Sequence, residues 1–232
     1  MIAQVELLAF VPTHPAPPAL NSDDIQVRWV MPELFYDLPL HEEDDDEAIR
    51  LLEELADKPL PGASEDDKTR FAVICALGFD ELHGTGAEYA AIGVIAVDNT
   101  PCTATVFATL IDSPDGDGIP AQAKAIASSL RGTKGDEASE LELPCGAAVS
   151  CIGTRDSKLI GDLTETGESI VFPTSFIRVY IPLPNGTTVV MEMNTPTMTG
   201  WETFSTMFGN IVSSVRLFGA DGTPLITSGT TA

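Results

Sequence analysis

The 232-residue chain carries 35 acidic and 12 basic residues, a formal net charge of −23, and 44% of its residues are hydrophobic. A chain of this size hides roughly 70–75% of its unfolded surface on folding, which excludes a fully disordered protein. The charge excludes a protein that grips nucleic-acid phosphates, because its dispersed cations lie in a repulsive field. No apolar run reaches the ~18–20 residues of a membrane helix, so we expect no membrane insertion.

The start of the chain predicts a strand rather than a secretion signal. No Lys or Arg precedes the apolar stretch at residues 5–11, and that stretch is short and contains Glu6. A signal peptide needs a basic start and a longer apolar segment. The four cysteines lie in apolar stretches without a CxxC pair, which is typical of small buried hydrophobes. We therefore expect a cytoplasmic protein, with a Cys75–Cys102 disulfide left open.

A strongly acidic segment spans residues 23–67, which hold sixteen acidic and three basic side chains. Its densest part, HEEDDDE at residues 41–47, leads into a predicted helix. Acids are favourable there because the first N–H groups of a helix attract negative charge. An apolar stripe follows on one side of that helix, formed by Ala48, Leu51, Leu52 and Leu55. This stripe predicts docking onto a core.

The acids around this helix allow three interpretations: a solvated helix face, a docking surface for a basic partner, or a divalent-metal site. A docking surface gains speed and salt sensitivity from complementary charge. Its candidate partner-binding residues are Glu42, Glu43, Asp44, Asp45, Asp46, Glu47 and Glu54.

Beyond residue 70 the patterns predict mostly strands. Apolar residues occupy both the odd and the even positions of residues 70–77, 89–97 and 103–111, as in strands that are covered on both faces. Residues 119–130 have the composition of a helix, and residues 141–154 and 169–182 return to strand patterns. Short connections between neighbouring strands favour antiparallel pairing.

Pro184-Asn185-Gly186-Thr187, between two β-rich runs, is the clearest turn signal in the chain. Asn-Gly supplies the positive φ angles of a tight hairpin. With Asn185 and Gly186 as the two loop residues, Tyr180 pairs with Met191 and Val179 with Glu192. The prolines at 182 and 184 are also compatible with a loop of more than two residues.

The last helix is predicted by Thr199-Gly200-Trp201-Glu202, which matches a capping box. An apolar stripe at helical spacing follows, and core packing is its expected role. The stripe consists of Trp201, Phe204, Met207, Phe208, Ile211, Val212 and Val215.

This order of elements predicts an α+β fold, with helices packed on a single, largely antiparallel sheet. We expect one domain over residues 1–218, with the acidic segment inside it. The small, polar residues 219–232 are expected to form a flexible tail.

The C-terminal third resembles actinobacterial proteins of the LpqN group, which share a PsbP-like α/β/α fold. The resemblance rests on a strand ending Ile181-Pro182-Leu183-Pro184, on Asn194-Thr195-Pro196 before a helix, and on Ile211-Val212-Ser213-Ser214-Val215-Arg216 at its end. It implies binding of other proteins rather than catalysis, and it carries no functional residues across. LpqN-type proteins have a lipoprotein signal, which the start of this chain does not match.

The motifs of common enzymes are absent from the sequence: GxSxG, GxxxxGK[ST] and GxGxxG. The acids of residues 112–118 resemble part of a calcium loop but lack its twelfth ligand. We therefore expect no catalytic residues, no metal and no cofactor. The leading hypothesis is a non-enzymatic intracellular interaction module, an adaptor or assembly subunit with an acidic docking face for a protein partner. The alternatives are an immunity-like inhibitor or chaperone of a basic protein, and an enzyme with an unrecognised carboxylate site.

Overall fold

The computed structural model describes residues 18–40, 45–59, 84–98, 100–131, 137–159 and 167–225, together with positions 62, 64, 65, 68, 69, 71, 75, 82 and 161. The strands are β1 (Ala19–Ser22), β2 (Ile25–Arg28), β3 (Phe35–Asp37), β4 (Ala87–Val97), β5 (Thr100–Asp112), β6 (Glu137–Leu143), β7 (Gly146–Leu159), β8 (Ile170–Pro182), β9 (Thr187–Thr195) and β10 (Arg216–Gly219). The helices are α1 (Asp45–Ala56), α2 (Ile119–Leu130) and α3 (Trp201–Ser213). The strand predicted at residues 5–11 lies outside this described part.

The strands form two sheets. A seven-stranded sheet has the order β3-β4-β5-β9-β8-β7-β6, and a three-stranded sheet has the order β1-β2-β10. All strand pairs in the described residues are antiparallel. The predicted α+β class is therefore confirmed, but the strands form two sheets instead of one. The second sheet arises because β2 pairs with β10, a strand that the sequence analysis did not predict.

One face of the large sheet is covered by α3 and the small sheet. Phe204 and Phe208 are fully buried there, in one cluster with Met191 of β9 and Trp29, which follows β2. The predicted apolar stripe of α3 thus packs into the core. These aromatic side chains stabilise the fold mainly through the large apolar area that they remove from water.

The opposite face carries α1 and α2 at its two ends, which completes a helix–sheet–helix arrangement. Leu52 and Leu55 of α1 pack against Ile92 of β4. Ile126 of α2 packs against Val149 of β7. The middle of this face, over β8 and β9, lies between the two helices. None of the helices in the described ranges is long and apolar enough to cross a membrane.

The strand predicted at residues 70–77 is wrong where the structure describes it. Phe71 and Cys75 are helical and lie buried beside Ile92. A short run that is apolar at both parities fits a buried helix segment as well as a buried strand, and periodicity alone does not separate them. All four cysteines are buried, and Cys75 and Cys102 are both thiols, so the Cys75–Cys102 disulfide does not form.

The β8–β9 hairpin has a wider loop than a two-residue turn. The Leu183 N–H donates to the Thr187 carbonyl at 2.7 Å, and within the loop only Gly186 has a positive φ, of 86°. Val179 therefore pairs with Met191, and Arg178 with Glu192. The predicted register was wrong by one position, because the two-residue loop assumed for Asn-Gly is not the one formed.

Helix α3 begins without the predicted capping box. A 3₁₀ turn at Met198–Gly200 precedes it, and its N-cap, Gly200, makes no side-chain cap hydrogen bond. A Cβ at Gly200 would lie 2.9 Å from the Cβ of Cys102. The glycine is required because the turn passes this close to β5.

Candidate functional site

Helix α1 carries the predicted acidic docking residues that the structure describes. Its leucines face the core, so Glu53 and Glu54 are exposed on the other side. Asp45 and Asp46 are the first two residues of this helix. Glu42, Glu43 and Asp44 lie outside the described residues.

Two of the predicted docking residues, Glu47 and Glu54, form ion pairs with Arg50. The Arg50 Nε donates to Glu47 Oε2 at 2.8 Å, and Arg50 also pairs with Glu54. The hydrogen bond from Arg50 lowers the pKa of Glu47. One cation between two carboxylates leaves one negative charge, so this surface stays acidic.

A second ion cluster extends the same negative surface. The Lys68 Nζ lies 2.6 Å from Asp57 Oδ1 and 3.1 Å from Glu65 Oε1. Again a single cation is shared by two carboxylates. We use the term acidic surface for the acidic side chains of α1 and of the segments next to it in sequence, including the predicted docking residues. Those whose side chains the structure describes are Glu47, Glu53, Glu54, Asp57 and Glu65.

The second candidate region is a buried ion cluster in the middle of the large sheet, formed by Arg155, Arg178 and Glu192. Glu192 is 0% exposed. The Arg155 Nη1 lies 2.6 Å from Glu192 Oε1, and the Arg178 Nε donates to Glu192 Oε2 at 2.7 Å. The Arg178 Nη2 lies 2.5 Å from the same Oε2. Both carboxylate oxygens thus accept charge-assisted hydrogen bonds, which are stronger than neutral ones. We call this group the Arg–Glu–Arg cluster.

Strand pairing places the three charged residues together. Arg178 lies directly opposite Glu192 across β8 and β9, and Arg155 reaches the same carboxylate from β7. Both guanidinium groups lie over the aromatic ring of Phe176, on β8, with 5.6 Å between the ring centroid and the Arg155 guanidinium and 5.3 Å between the centroid and that of Arg178. Guanidinium groups at such distances from a ring face are attracted to it.

The electrostatics of the cluster fix Arg178 as a cation. Burial lowers the pKa of Arg178, but the nearby charge of Glu192 and the hydrogen bond to the Tyr180 hydroxyl outweigh that effect and raise it. Asn194 adds a further hydrogen bond, from its Nδ2 to Glu192 Oε1 at 3.3 Å. The cluster therefore carries one carboxylate and two guanidinium groups.

A groove with a volume of about 430 Å³ lies beside this cluster. Its polar wall includes Arg155, Arg178 and Asn194, and its apolar wall includes Ile92 and Phe107. The groove lies on the same face of the large sheet as α1 and α2. Sequence reasoning did not find it, although single charged residues inside apolar strands, such as Glu192 between two methionines, were a signal for it.

The described residues contain no group of three or more His, Cys, Asp and Glu that could hold a metal ion. The acidic turn before α2 accordingly has no ligand set among these residues. Its exposed Asp115 and Asp117 lie close to the first turn of the helix, where their charge is favourable.

Comparisons with solved structures give distant likenesses, two of which are to LpqN and Mog1p. No family model and no curated protein matches the chain. LpqN, which is involved in cell envelope biogenesis of Mycobacterium tuberculosis, is 12% identical at a TM-score of 0.40, over 87% of this chain and 90% of LpqN. The Ran-binding protein Mog1p of Saccharomyces cerevisiae is 11% identical at a TM-score of 0.37, over 86% of this chain and 94% of Mog1p. The predicted resemblance to LpqN-like proteins is thereby confirmed.

Proposed function

We propose that the protein is a non-enzymatic interaction module, an adaptor or assembly subunit, that binds a basic protein through the acidic surface. One observation carries the proposal: α1 turns Leu52 and Leu55 inward and Glu53 and Glu54 outward. This helix lies within a segment of sixteen acidic and three basic side chains. Glu42, Glu43, Asp44, Asp45, Asp46, Glu47 and Glu54 are the partner-binding residues of this proposal.

Long-range attraction gives such a surface its binding properties. Complementary charge accelerates the encounter of two proteins and suppresses partners of the wrong sign. The attraction between exposed charges fades beyond a Debye length of about 8 Å at physiological salt. Binding through the acidic surface is therefore expected to weaken steeply as salt is added.

An exposed apolar patch is a second surface through which a protein partner could bind. Ile152 is 40% exposed and Met198 is 62% exposed. Ile152 pairs with Ile177 across β7 and β8, and Met198 contacts Ser175, two positions from Ile177. Apolar side chains that share an exposed area are a common feature of protein interfaces. The experiment must separate this patch from the acidic surface.

The test is affinity capture from a lysate of the source cells with three variants of the full chain. The first replaces Asp44, Asp45 and Asp46 with Asn. The second is a charge-matched control with Asp115→Asn and Asp117→Asn before α2, and Glu137→Gln on β6, at the edge of the large sheet opposite β3. The third replaces Ile152 and Met198 with Ser. Captured proteins are identified by mass spectrometry at low and at physiological salt.

We expect a basic protein that the wild type and the charge-matched control retain, and that the Asp44–Asp46 variant and added salt release. The proposal fails if capture is unchanged in that variant at low salt. Loss of the partner in the Ile152 and Met198 variant alone would also reject the acidic surface. If the captured protein is a toxin or secreted cargo, the module is its inhibitor or chaperone.

A further inference from the structure

The groove beside the Arg–Glu–Arg cluster is cationic, although the protein as a whole is strongly acidic. The cluster has two guanidinium groups and one carboxylate, so it carries an excess positive charge. A third cation, Lys158, is exposed and lines the same groove. Three of the twelve basic residues of the chain thus converge on one cavity. Basic residues that only contribute to solubility would not need to lie around one groove.

One hydrogen-bond donor of the cluster has no acceptor among the described residues. The Arg155 Nε is buried and makes no hydrogen bond within the described part of the chain. Buried donors in folded proteins normally have an acceptor, because leaving one unpaired is costly. The side chains of Arg155 and Arg178 are each 32% exposed, so both are accessible from the groove. An anionic oxygen in the groove would accept from N–H groups on the exposed part of the two guanidiniums, because the buried Nε itself has no surface on the groove.

The remainder of the groove combines hydroxyl groups with apolar side chains. Thr103 and Thr105 of β5 line it together with Phe107, and Ile92 and Leu38 complete the apolar wall on the α1 side. Thr105 lies opposite Asn194, and Phe107 opposite Glu192, so apolar and charged walls are neighbours on one sheet face. Sites for small molecules commonly have this composition, and their volumes run from about 300 to 1,000 Å³.

We propose that this groove binds a small amphipathic anion, with a carboxylate or phosphate head on Arg155 and Arg178 and an apolar body against Phe107 and Ile92. Charge complementarity excludes a cation of the same shape. The apolar wall excludes a purely polar anion as the preferred ligand. The proposal is independent of the acidic surface, because it uses none of that surface's residues.

The test is calorimetric titration of the full chain with defined probes below their micelle concentrations. Octanoate and octyl phosphate carry the two candidate head groups on one apolar body. Octyltrimethylammonium has the same body with the opposite charge. Acetate and inorganic phosphate supply the head groups alone.

Three variants locate the site. Arg155→Gln removes one guanidinium and leaves Arg178 paired with Glu192. Thr105→Phe keeps every charge and narrows the groove, which separates loss of the site from loss of its charge. Arg131→Gln is the matched control, because Arg131 is an exposed cation that pairs with Glu140 outside the groove. Circular dichroism and unfolding in urea confirm that each variant is folded.

We expect saturable binding of octanoate or octyl phosphate, at least tenfold weaker in Arg155→Gln and in Thr105→Phe, and changed less than twofold in Arg131→Gln. The stronger of the two anions identifies the head group. Equal binding of octyltrimethylammonium, or of acetate and phosphate alone, would overturn the proposal. So would unchanged affinity in a folded Thr105→Phe variant, or absence of binding by both octyl anions.

Discussion

Replacement of Glu192 with Gln tests the energetic role of the Arg–Glu–Arg cluster. The substitution keeps the size of the side chain and removes its charge. Arg155 and Arg178 then face each other in a mostly buried site without the carboxylate that both of them bind. We expect a large loss of stability, because two like charges remain partly desolvated with no compensating charge between them.

The magnitude follows from the burial of the cluster. Removing one partner of a buried ion pair costs about 3–5 kcal/mol. The guanidinium groups are about a third exposed, so solvent screens part of their repulsion and the lower end applies. A loss of about 3 kcal/mol would lower the melting temperature by about 6–12 °C in a protein of this size.

Urea unfolding of the wild type and the variant measures this difference. A third protein, with Arg155→Met, Arg178→Met and Glu192→Leu together, removes the whole cluster. Replacing a complete buried ion cluster with apolar residues is often neutral, so we expect the triple variant to recover most of the stability. A loss below about 1 kcal/mol in Glu192→Gln would refute the reasoning. A triple variant less stable than Glu192→Gln would do the same.

Three further predictions concern packing, the hairpin and the cysteines. Phe204→Ala should cost about 3–5 kcal/mol in urea unfolding, since Phe204 is fully buried; a cost equal to that of an exposed-site control would contradict the core role of α3. Gly186→Ala should cost at least about 1 kcal/mol, because its φ of 86° strains any side chain; unaltered stability would show that the loop relaxes. Burial raises the pKa of the Cys75 thiol from 9.0 to about 12 and that of Cys145 to about 11. The unfolded thiols lose their protons first, so stability should be complete below pH 9 and fall between pH 9 and 11, by about 1.4 kcal/mol per pH unit for each thiol. A Cys75→Ala, Cys145→Ala variant should flatten that profile, and an unchanged slope would reject the assignment.

Local patterns were sufficient for the elements that are long or strongly periodic. Helix α2 spans Ile119–Leu130, the same residues that the sequence predicted, because Pro120 and the surrounding small residues mark its beginning clearly. The apolar stripe of α3 is equally local, since its members recur at helical spacing within one segment. Both helices could be placed without knowledge of their partners in the fold.

The Arg–Glu–Arg cluster could not be placed in this way. Assuming a two-residue hairpin loop put Val179 opposite Glu192, whereas the observed loop puts Arg178 there. A shift of one position moves every side chain of a strand relative to its partner, so this small error concealed the ion pair. Arg155 comes from a third strand, and its contact depends on the order of β7, β8 and β9 in the sheet. That order is a long-range property which no local pattern encodes.

The net negative charge of the molecule attracts the ligand of one proposed site and repels that of the other, so we expect opposite responses to salt. A basic protein on the acidic surface loses attraction as ions screen the exposed carboxylates. An anion in the groove is held by Arg155 and Arg178 at contact distance, where screening is weak. The rest of the molecule, with its net charge of −23, repels that anion from greater distances, where screening is strong. Moderate salt should thus strengthen octyl anion binding while it weakens partner binding. Parallel weakening of both would refute this reasoning, because it would show that attraction to the groove cations, and not repulsion by the remote carboxylates, dominates the response of anion binding to salt.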